Sequence, residues 1–369
     1  MNATGLRIAV VGPLPPPAGG MANQTAQLAE LLRREGADVT LVQVNAAYRP
    51  AWVGRWRGLR ALFRLARYVP ALWRAFGRVD VVHVMANSGI AWFVFAMPAV
   101  LLARARSKPV AINYRGGGAD RFLRRAAWVV RPLVRLADAL LVPSGYLQAI
   151  FRSHGIDSTI VPNVIDLARF TPAARGWNAD APHLIVTRNL EPIYDIPTAL
   201  RMFAHVRREC PAARMTVAGE GPQRAALEAL AAQLGVREAV TFSGRIDNAR
   251  IADLYRSATV FVNPSRVDNM PISVLEALAS GVPVVSTDVG GVPYLVEHER
   301  TALLVPAGDP TRLAGAVLRV LREAGLAARL IDAGRTAVRR YEWASVGPQL
   351  LGVYRRMTAA APGARMRAS

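Results

Sequence analysis

Cysteine, lysine and long apolar runs are scarce in this chain. One cysteine, Cys210, stands among 369 residues, so neither an intrachain disulfide framework nor a cysteine-rich zinc site can form. Cys210 follows a charged helix end and precedes Pro211, which is the setting of an ordinary thiol. Lysine occurs once, at Lys108, and every other basic side chain among the 46 Lys and Arg is arginine. The longest apolar run, Gly89 to Ala103, holds Pro98 and falls short of the ~20 residues that a spanning helix needs. The first apolar run, Leu6 to Val11, is short, contains Arg7 and reads as a strand, not a signal peptide. The expectation is a cytoplasmic protein, peripheral at the inner face of the plasma membrane. Acidic residues are also few. Against 26 Asp and Glu the basic residues leave a net charge of +20, which favours anionic partners. No RNA- or DNA-binding motif accompanies the charge, and the arginines are dispersed, so nucleic acid is not an expected partner.

What is present is an alternation of strands and helices, repeated twice. Apolar residues make up 52% of the chain, enough for sizeable cores. Short apolar runs recur at Arg7–Val11, Asp38–Val44, Asp80–Met85, Pro109–Tyr114, Ala139–Pro143 and Thr159–Pro162. The polar stretch Thr171–Ala181 reads as a linker. The alternation restarts at His183–Thr187, Arg214–Ala218, Ala239–Phe242, Thr259–Asn263, Pro283–Ser286 and Ala302–Val305. Continuous apolar runs of this length suit parallel strands covered on both faces. Two doubly wound α/β domains follow, with ligands expected beyond the carboxyl ends of the strands and in the cleft between the domains.

Three segments carry candidate chemistry. After the first strand, Gly19 and Gly20 open a helix that runs to about Glu35, with Gly36 as its stop. Glycines at a helix start let an anion approach backbone N–H groups, though a plain strand-to-helix turn fits equally well. The spacing is neither a dinucleotide fingerprint nor a P-loop. Gly219-Glu220-Gly221-Pro222 follows another strand and by itself reads as a turn. The third segment, Val262–Gly291, places Asp268 in a loop and Glu276 in a helix expected from Pro271 to about Ser280, closed by Gly281. Glu276 is then expected nearly two turns inside that helix. A helix N-terminus between two carboxylates can seat a diphosphate, with one carboxylate on a ribose diol and the other on a sugar hydroxyl.

That third segment resembles the E-x₇-E region of retaining glycosyltransferases of family 4, of the bacterial exopolysaccharide and cell-envelope type, which have the GT-B fold. Further motifs fall in the family's order: the diglycine Gly19-Gly20, the stretch Ala137 to Pro172, VTRNL, VAGEGP, VTFSGRI, NPS and EALASGVPVVSTDVGG. The closing YEWASVGPQLLGVYRRM resembles the family's last helix, which crosses back to the N-terminal domain. The resemblance covers about residues 6–357. It implies an N-terminal acceptor-binding domain over 1–172 plus the crossing helix 343–358, and a C-terminal nucleotide-sugar domain over 182–342.

The resemblance also implies roles. Gly19 and Gly20 would meet the donor's diphosphate or sugar by backbone. Arg188 would pair with the diphosphate, Glu276 would hold the nucleotide ribose, and Asp268 a sugar hydroxyl. Met270, Pro271 and Ile272 lie where backbone contacts the donor, and Gly244 and Arg245 of VTFSGRI join the donor set. The donor would be a UDP- or GDP-sugar, with no metal or other cofactor. His83 on the DVVHVM strand is a catalytic candidate, with a strand histidine facing the core as the other reading. The chain also departs from the family. Asp268 stands where Glu is usual, and Asn269-Met270-Pro271 replaces Phe-Gly. The diphosphate lysine is missing, with Tyr194 near its place and Arg115 or Arg245 as candidate substitutes. Met85 stands where many relatives carry a second histidine. Asn87, Ser88 and the loop Tyr114-Arg115-Gly116-Gly117-Gly118 are candidates for acceptor or phosphate contact.

Trp52–Arg78 is a basic amphipathic stretch. At ~100° per residue, Arg57, Arg60, Arg64 and Arg67 share one face, while Leu59, Leu62, Phe63, Leu65, Ala66 and Val69 cover the other. The composition suits an interfacial helix on an anionic membrane, or equally a helix lying on a sheet. A second cluster, Arg121, Arg124, Arg125, Arg131 and Arg135, surrounds Trp128. The function expected is transfer of a sugar from a nucleotide-sugar to a glycan or lipid-linked acceptor with retention of configuration. A nucleotide-sugar epimerase and a catalytically weak binding partner are the alternatives; donor incubated alone would yield an epimer only with the first.

Overall fold

A computed structural model describes residues 3–16, 19–46, 59–174, 177–247 and 249–360. All twelve expected strands are present. Six form one parallel sheet: β1 (Arg7–Gly12), β2 (Asp38–Gln43), β3 (Val81–Ala86), β4 (Val110–Tyr114), β5 (Ala139–Val142) and β6 (Thr159–Ile160), in the order β2-β1-β3-β4-β5-β6. The other six are β7 (His183–Val186), β8 (Arg214–Ala218), β9 (Val240–Gly244), β10 (Val260–Asn263), β11 (Val284–Thr287) and β12 (Leu303–Val305), in the order β12-β11-β10-β7-β8-β9. Central strands such as β3, β4, β7 and β10 are buried along their whole length, which explains their unbroken apolar runs. In each sheet the strand order reverses once, between β1 and β3 and between β7 and β10. Loops leaving those strands diverge there and open a crevice.

The chain divides into two compact units, residues 1–163 with 344–369, and residues 164–343. The expected boundary at 172 lies later than this division. Ile165 and Phe170 explain the difference: both are buried in the core of the second unit, Phe170 edge-on to Tyr255 at 5.8 Å between ring centroids. Burying two such side chains contributes on the order of 1.5–3 kcal/mol each, so the segment belongs with what it packs on.

In the first unit the last helix, Trp343–Ala360, is tied to β3. Tyr354 is fully buried and its hydroxyl lies 2.8 Å from His83 Nδ1. The other ring nitrogen, Nε2, accepts from Asn113 Nδ2 at 3.0 Å, and the Asn113 carbonyl accepts from Arg115 Nε at 2.7 Å. The Arg115 contact fixes the amide orientation, so Nε2 is the acceptor and Nδ1–H donates to Tyr354. Burial first, and the Arg115 charge second, push the His83 pKa down to about 3. His83 therefore offers neither an exposed edge nor an unengaged nitrogen. The expected catalytic contact is corrected to the other reading, a core histidine.

The helix Leu59–Phe76 packs one side on the core of the first unit. Its core contact is made by Tyr68, Leu72 and Phe76, with Leu65 half-buried. Phe63, Ala66 and Val69, on the expected apolar face, are exposed, together with Trp73. Trp52, Trp56 and Arg57 lie outside the described residues, as do the side chains of Leu59, Arg60 and Leu62. On the helix Ala119–Leu136, Arg121, Arg124, Arg125, Arg131 and Arg135 are all exposed around Trp128, itself 79% exposed. Among the described residues no helix is long and apolar enough to cross a membrane.

His183 in the second unit resembles His83 in its setting: its Nε2 lies 2.8 Å from Thr216 Oγ1, its Nδ1 3.0 Å from the Ser257 carbonyl, and burial pushes its pKa down to about 4. Both rings stay neutral in the fold, whereas in the unfolded chain they charge near 6.5. Below that pH the unfolded state binds protons that the native state refuses. The stability each ring supplies is full above pH 6.5 and is lost as the pH falls toward about 4 for His183 and about 3 for His83, at up to ~1.4 kcal/mol per unit. Urea midpoints should fall between pH 7 and 5, and less steeply in His183→Gln. An unchanged slope in that variant would show that the ring titrates within the fold.

Candidate functional site

Arg188, Asp268 and Glu276 converge beyond the carboxyl ends of β7 and β10, where the second sheet reverses its order. β7 ends at Val186 and carries Thr187 and Arg188 out of the sheet. β10 ends at Asn263, which is fully buried. Its side-chain oxygen accepts from Arg188 Nε at 3.1 Å and from Ser265 Oγ at 2.8 Å, and its amide donates to Ser286 Oγ at 3.0 Å. Arg188 is thereby aimed. Its Nη2 donates to Asp268 Oδ2 in a tight ion pair, with the arginine side chain 11% and the aspartate 12% exposed. Asp268 also accepts from the backbone N–H of Asn269 at 3.0 Å and, more weakly, from Ser265 Oγ at 3.4 Å. Burial pushes the Asp268 carboxyl above its ordinary range, against the pull of Arg188 and these donors. Tyr194, near the place of the missing lysine, sets its ring 5.3 Å from the Arg188 guanidinium, a cation–π contact that replaces a second charge with a polarisable face.

Pro271 precedes the helix Ile272–Ala279 as its cap residue instead of opening it. Gly281, at φ +66°, ends it as expected. Glu276 thus lies four residues past the first helical residue, just over one turn in, closer to the N-terminus than its expected depth. Its Oε2 accepts from the Tyr255 hydroxyl at 2.8 Å, and that hydroxyl also meets Thr187 Oγ1 at 2.8 Å. Burial pushes the Glu276 carboxyl up, opposed by the Tyr255 hydrogen bond, Arg169 and Arg188. Tyr255 and Thr187 escaped sequence reasoning. The available signal was a tyrosine on an otherwise apolar helix face, since a buried hydroxyl needs a partner. Asn263 and Ser265 stood in view only as part of NPS.

Glycines hold the loops of this site together. A side chain on Gly291 would put its Cβ 1.6 Å from the Asn269 carbonyl oxygen, and one on Gly290 2.2 Å from that of Asp268. The Gly291 N–H donates to the Asp268 carbonyl at 2.8 Å. Met270 and Pro271 are buried and Ile272 half-buried in the same loop. Gly219 and Gly221 do the same beneath the Arg188–Leu190 segment, where a Cβ would lie 2.0 Å from the Arg188 carbonyl oxygen and 2.4 Å from that of Leu190. The turn reading of Gly219-Glu220-Gly221 thus gains a packing reason. Gly244 has φ +69° and ends β9. Arg245 after it is exposed and lies 3.8 Å from Glu220, apart from the Arg188 cluster. Among the described residues no three His, Cys, Asp or Glu side chains gather as metal ligands would.

In the first unit, Gly19 caps the helix Gly20–Arg34 with no side-chain partner. A Cβ at Gly19 or Gly20 would meet nothing within 4 Å, so protein packing does not require glycine at either position. Gly116 does need to be glycine: its Cβ would lie 2.3 Å from Ser88 Oγ and 2.6 Å from Asn87 Oδ1. Ser88 Oγ in turn meets the Tyr114 hydroxyl at 2.6 Å, so Asn87, Ser88 and the loop after β4 come together.

Comparison with known proteins bears on both units. The family pattern described as "Glycosyl transferases group 1" matches residues 169–337, and that of "Glycosyltransferase Family 4" matches residues 18–169. A D-inositol 3-phosphate glycosyltransferase of Acidothermus cellulolyticus is 34% identical over 64% of this chain and 53% of its own length, so the chain spans about half of that relative. A GDP-mannose-dependent alpha-(1-6)-phosphatidylinositol monomannoside mannosyltransferase of Mycobacterium tuberculosis is 28% identical over 92% of this chain and 96% of its own. The solved structure of a sucrose-phosphate synthase from Thermosynechococcus elongatus superposes with a TM-score of 0.76 at 22% identity, covering 96% of this chain and 100% of that one. Anabaena HepE in complex with UDP superposes with a TM-score of 0.75 at 16% identity, covering 94% and 99%. At these identities the structures establish the fold.

The glycines separate packing from ligand contact. Gly291→Ala should lower stability by more than ~2 kcal/mol, because the obstructing atom is backbone. Gly20→Ala should instead raise stability by ~0.5–1 kcal/mol, as the helix start gains a better helix former. Thermal unfolding of the two variants checks both signs. Loss of stability in Gly20→Ala would mean that an unseen packing constraint holds there.

Proposed function

The chain belongs to the glycosyltransferases of the GT-B fold, and we propose that it transfers a sugar from a UDP- or GDP-sugar to a glycan or lipid-linked acceptor with retention of configuration. The observation that carries the donor reading is the pairing of an aimed arginine with a helix N-terminus at the reversal point of the second sheet. Arg188 is held by Asn263 on one side and Asp268 on the other. A forked guanidinium in that position suits a diphosphate, and the N-terminus of the helix Ile272–Ala279 adds positive dipole. Glu276, steadied by Tyr255, would accept from a ribose diol.

Chemically, the guanidinium and the helix N-terminus would stabilise the charge that grows on the departing diphosphate. The leaving phosphate oxygen accepts the proton of the acceptor hydroxyl, the bond from the anomeric carbon to the diphosphate breaks, and the bond to the acceptor oxygen forms on the same face. That sequence keeps the configuration. Asp268 would hold a sugar hydroxyl near the developing positive charge. Support for an inositol- or lipid-bearing acceptor comes from the names of the two relatives above. An anionic membrane surface is the partner that best fits Phe63, Val69, Trp73 and Trp128, exposed beside arginines in the first unit.

Splitting the donor into parts tests the assignment. Arg188→Ala should weaken binding of a nucleoside diphosphate by ~10–100-fold and leave binding of the bare nucleoside unchanged, as a charge-assisted contact worth ~1.5–3 kcal/mol is removed. Glu276→Ala should weaken both ligands alike. Calorimetric titration of UDP, GDP and their nucleosides reads the difference. If Arg188→Ala binds the diphosphate as wild type does, the diphosphate is not at Arg188.

A further inference from the structure

A cavity of about 570 Å³ lies in the first unit, between the outer edge of β2 and the helix Leu59–Phe76. Its walls come from Thr40 to Val44 on the strand side and, on the helix side, from Phe63, Tyr68 and four arginines: Arg64, Arg67, Arg74 and Arg78. Arg64, Arg67 and Arg74, spaced by three and seven residues, share one side of the helix, and Arg78 follows just past its end. No carboxylate lines the cavity. Among the described residues β2 is an edge strand, paired with β1 alone.

Some exposed arginines elsewhere find a carboxylate: Arg34 takes Glu30, Arg124 takes Asp120, Arg224 takes Glu228, and Arg319 takes both Glu299 and Glu323. Arg67, Arg74 and Arg78 have no such partner among the described residues. Arg74 donates only to the Pro70 carbonyl, at 3.3 Å. Several guanidinium groups around one space repel each other, and an anion with several oxygens relieves that repulsion while accepting forked hydrogen bonds. Phosphate is the group that fits: it is tetrahedral, multiply charged and able to accept from more than one arginine at once.

We propose that this cavity is a binding site for phosphate groups, separate from the donor site at Arg188. The phosphate belongs either to a small phosphorylated molecule or to a lipid headgroup. The second source has local support, because Phe63 at the cavity wall and Trp73 on the same helix are exposed apolar side chains. The site lies wholly in the first unit and does not depend on the donor assignment, which rests on residues of the second.

The test uses the full chain and two probes. Inorganic pyrophosphate is titrated by calorimetry, and vesicles of phosphatidylglycerol in phosphatidylcholine are used in flotation. Each is measured for wild type, for the double variant Arg67→Gln with Arg74→Gln, for the double variant Arg124→Gln with Arg131→Gln, and for Arg188→Ala. Both cavity arginines are exposed and glutamine is a good helix former, so circular dichroism should show an intact fold. The expected result is a loss of at least tenfold in the cavity variant in one or both arms, retained binding in Arg188→Ala, and a smaller change in the Arg124 and Arg131 variant. Loss in the pyrophosphate arm assigns a small phosphorylated ligand; loss only in the vesicle arm assigns a headgroup. Wild type that binds neither probe, or cavity-variant affinities within twofold of wild type in both arms, overturns the proposal.

Discussion

The ion pair between Arg188 and Asp268 is the contact on which the candidate site depends. A guanidinium and a carboxylate, each nearly out of water, are tolerable only when their remaining hydrogen-bonding groups are also satisfied. Asn263 engages Nε of the arginine, and the Asn269 N–H with Ser265 Oγ serves the aspartate. Asn263 is in turn held by Ser286 from the next strand. The carboxyl ends of β7, β10 and β11 are thus locked into one polar network, and a cation is presented at the mouth of the sheet in a single orientation. Removing either charge would leave the other buried and unpaired, so the arrangement protects itself against drift of one loop.

Glycine supplies the second constraint. The loop that carries Asp268 and the segment that carries Arg188 each lie directly against the backbone of another loop, at distances that admit no Cβ. That closeness lets backbone hydrogen bonds, such as Gly291 N–H to the Asp268 carbonyl, set the position of a charged side chain. In the first unit a buried chain of hydrogen bonds has a different job. Arg115, Asn113, His83 and Tyr354 run from the loop after β4 to the last helix, and they fasten the chain terminus to β3. The same histidine that looks like a catalytic candidate in one dimension is spent on this link.

Much of the architecture was legible because its signal is local. Central parallel strands, buried on both faces, have to be largely apolar, and all twelve strands fall within the short runs read from the sequence or overlap them. Arg188, Asp268 and Glu276 were legible as motif residues; Arg188 pairs with Asp268, and its charge also acts on Glu276. What stayed hidden depended on partners distant in sequence. Nothing near His83 reveals Tyr354, 271 residues away. Nothing near Asp166 shows that Ile165 and Phe170 share a core with Tyr255 and Phe261, so the boundary expected from sequence lies later than the observed division. The exposure of Phe63, Ala66 and Val69 has a similar origin. Periodicity groups residues into faces, but which apolar face meets the sheet is decided by neighbouring strands and helices.

The central proposal is that Asp268 acts on the transfer step alone, whereas Arg188 also holds the diphosphate in the ground state. Asp268→Asn separates the two, because the amide keeps the shape of the side chain and loses its charge. Single-turnover transfer at saturating donor, measured beside the donor's dissociation constant, is the direct reading. The account predicts that transfer falls by ~100-fold or more while donor affinity is kept or improved, since a contact that strengthens as charge develops acts on the transition state, and Arg188 is released toward the diphosphate. Equal transfer rates in wild type and Asp268→Asn, or a loss confined to donor affinity, would contradict it.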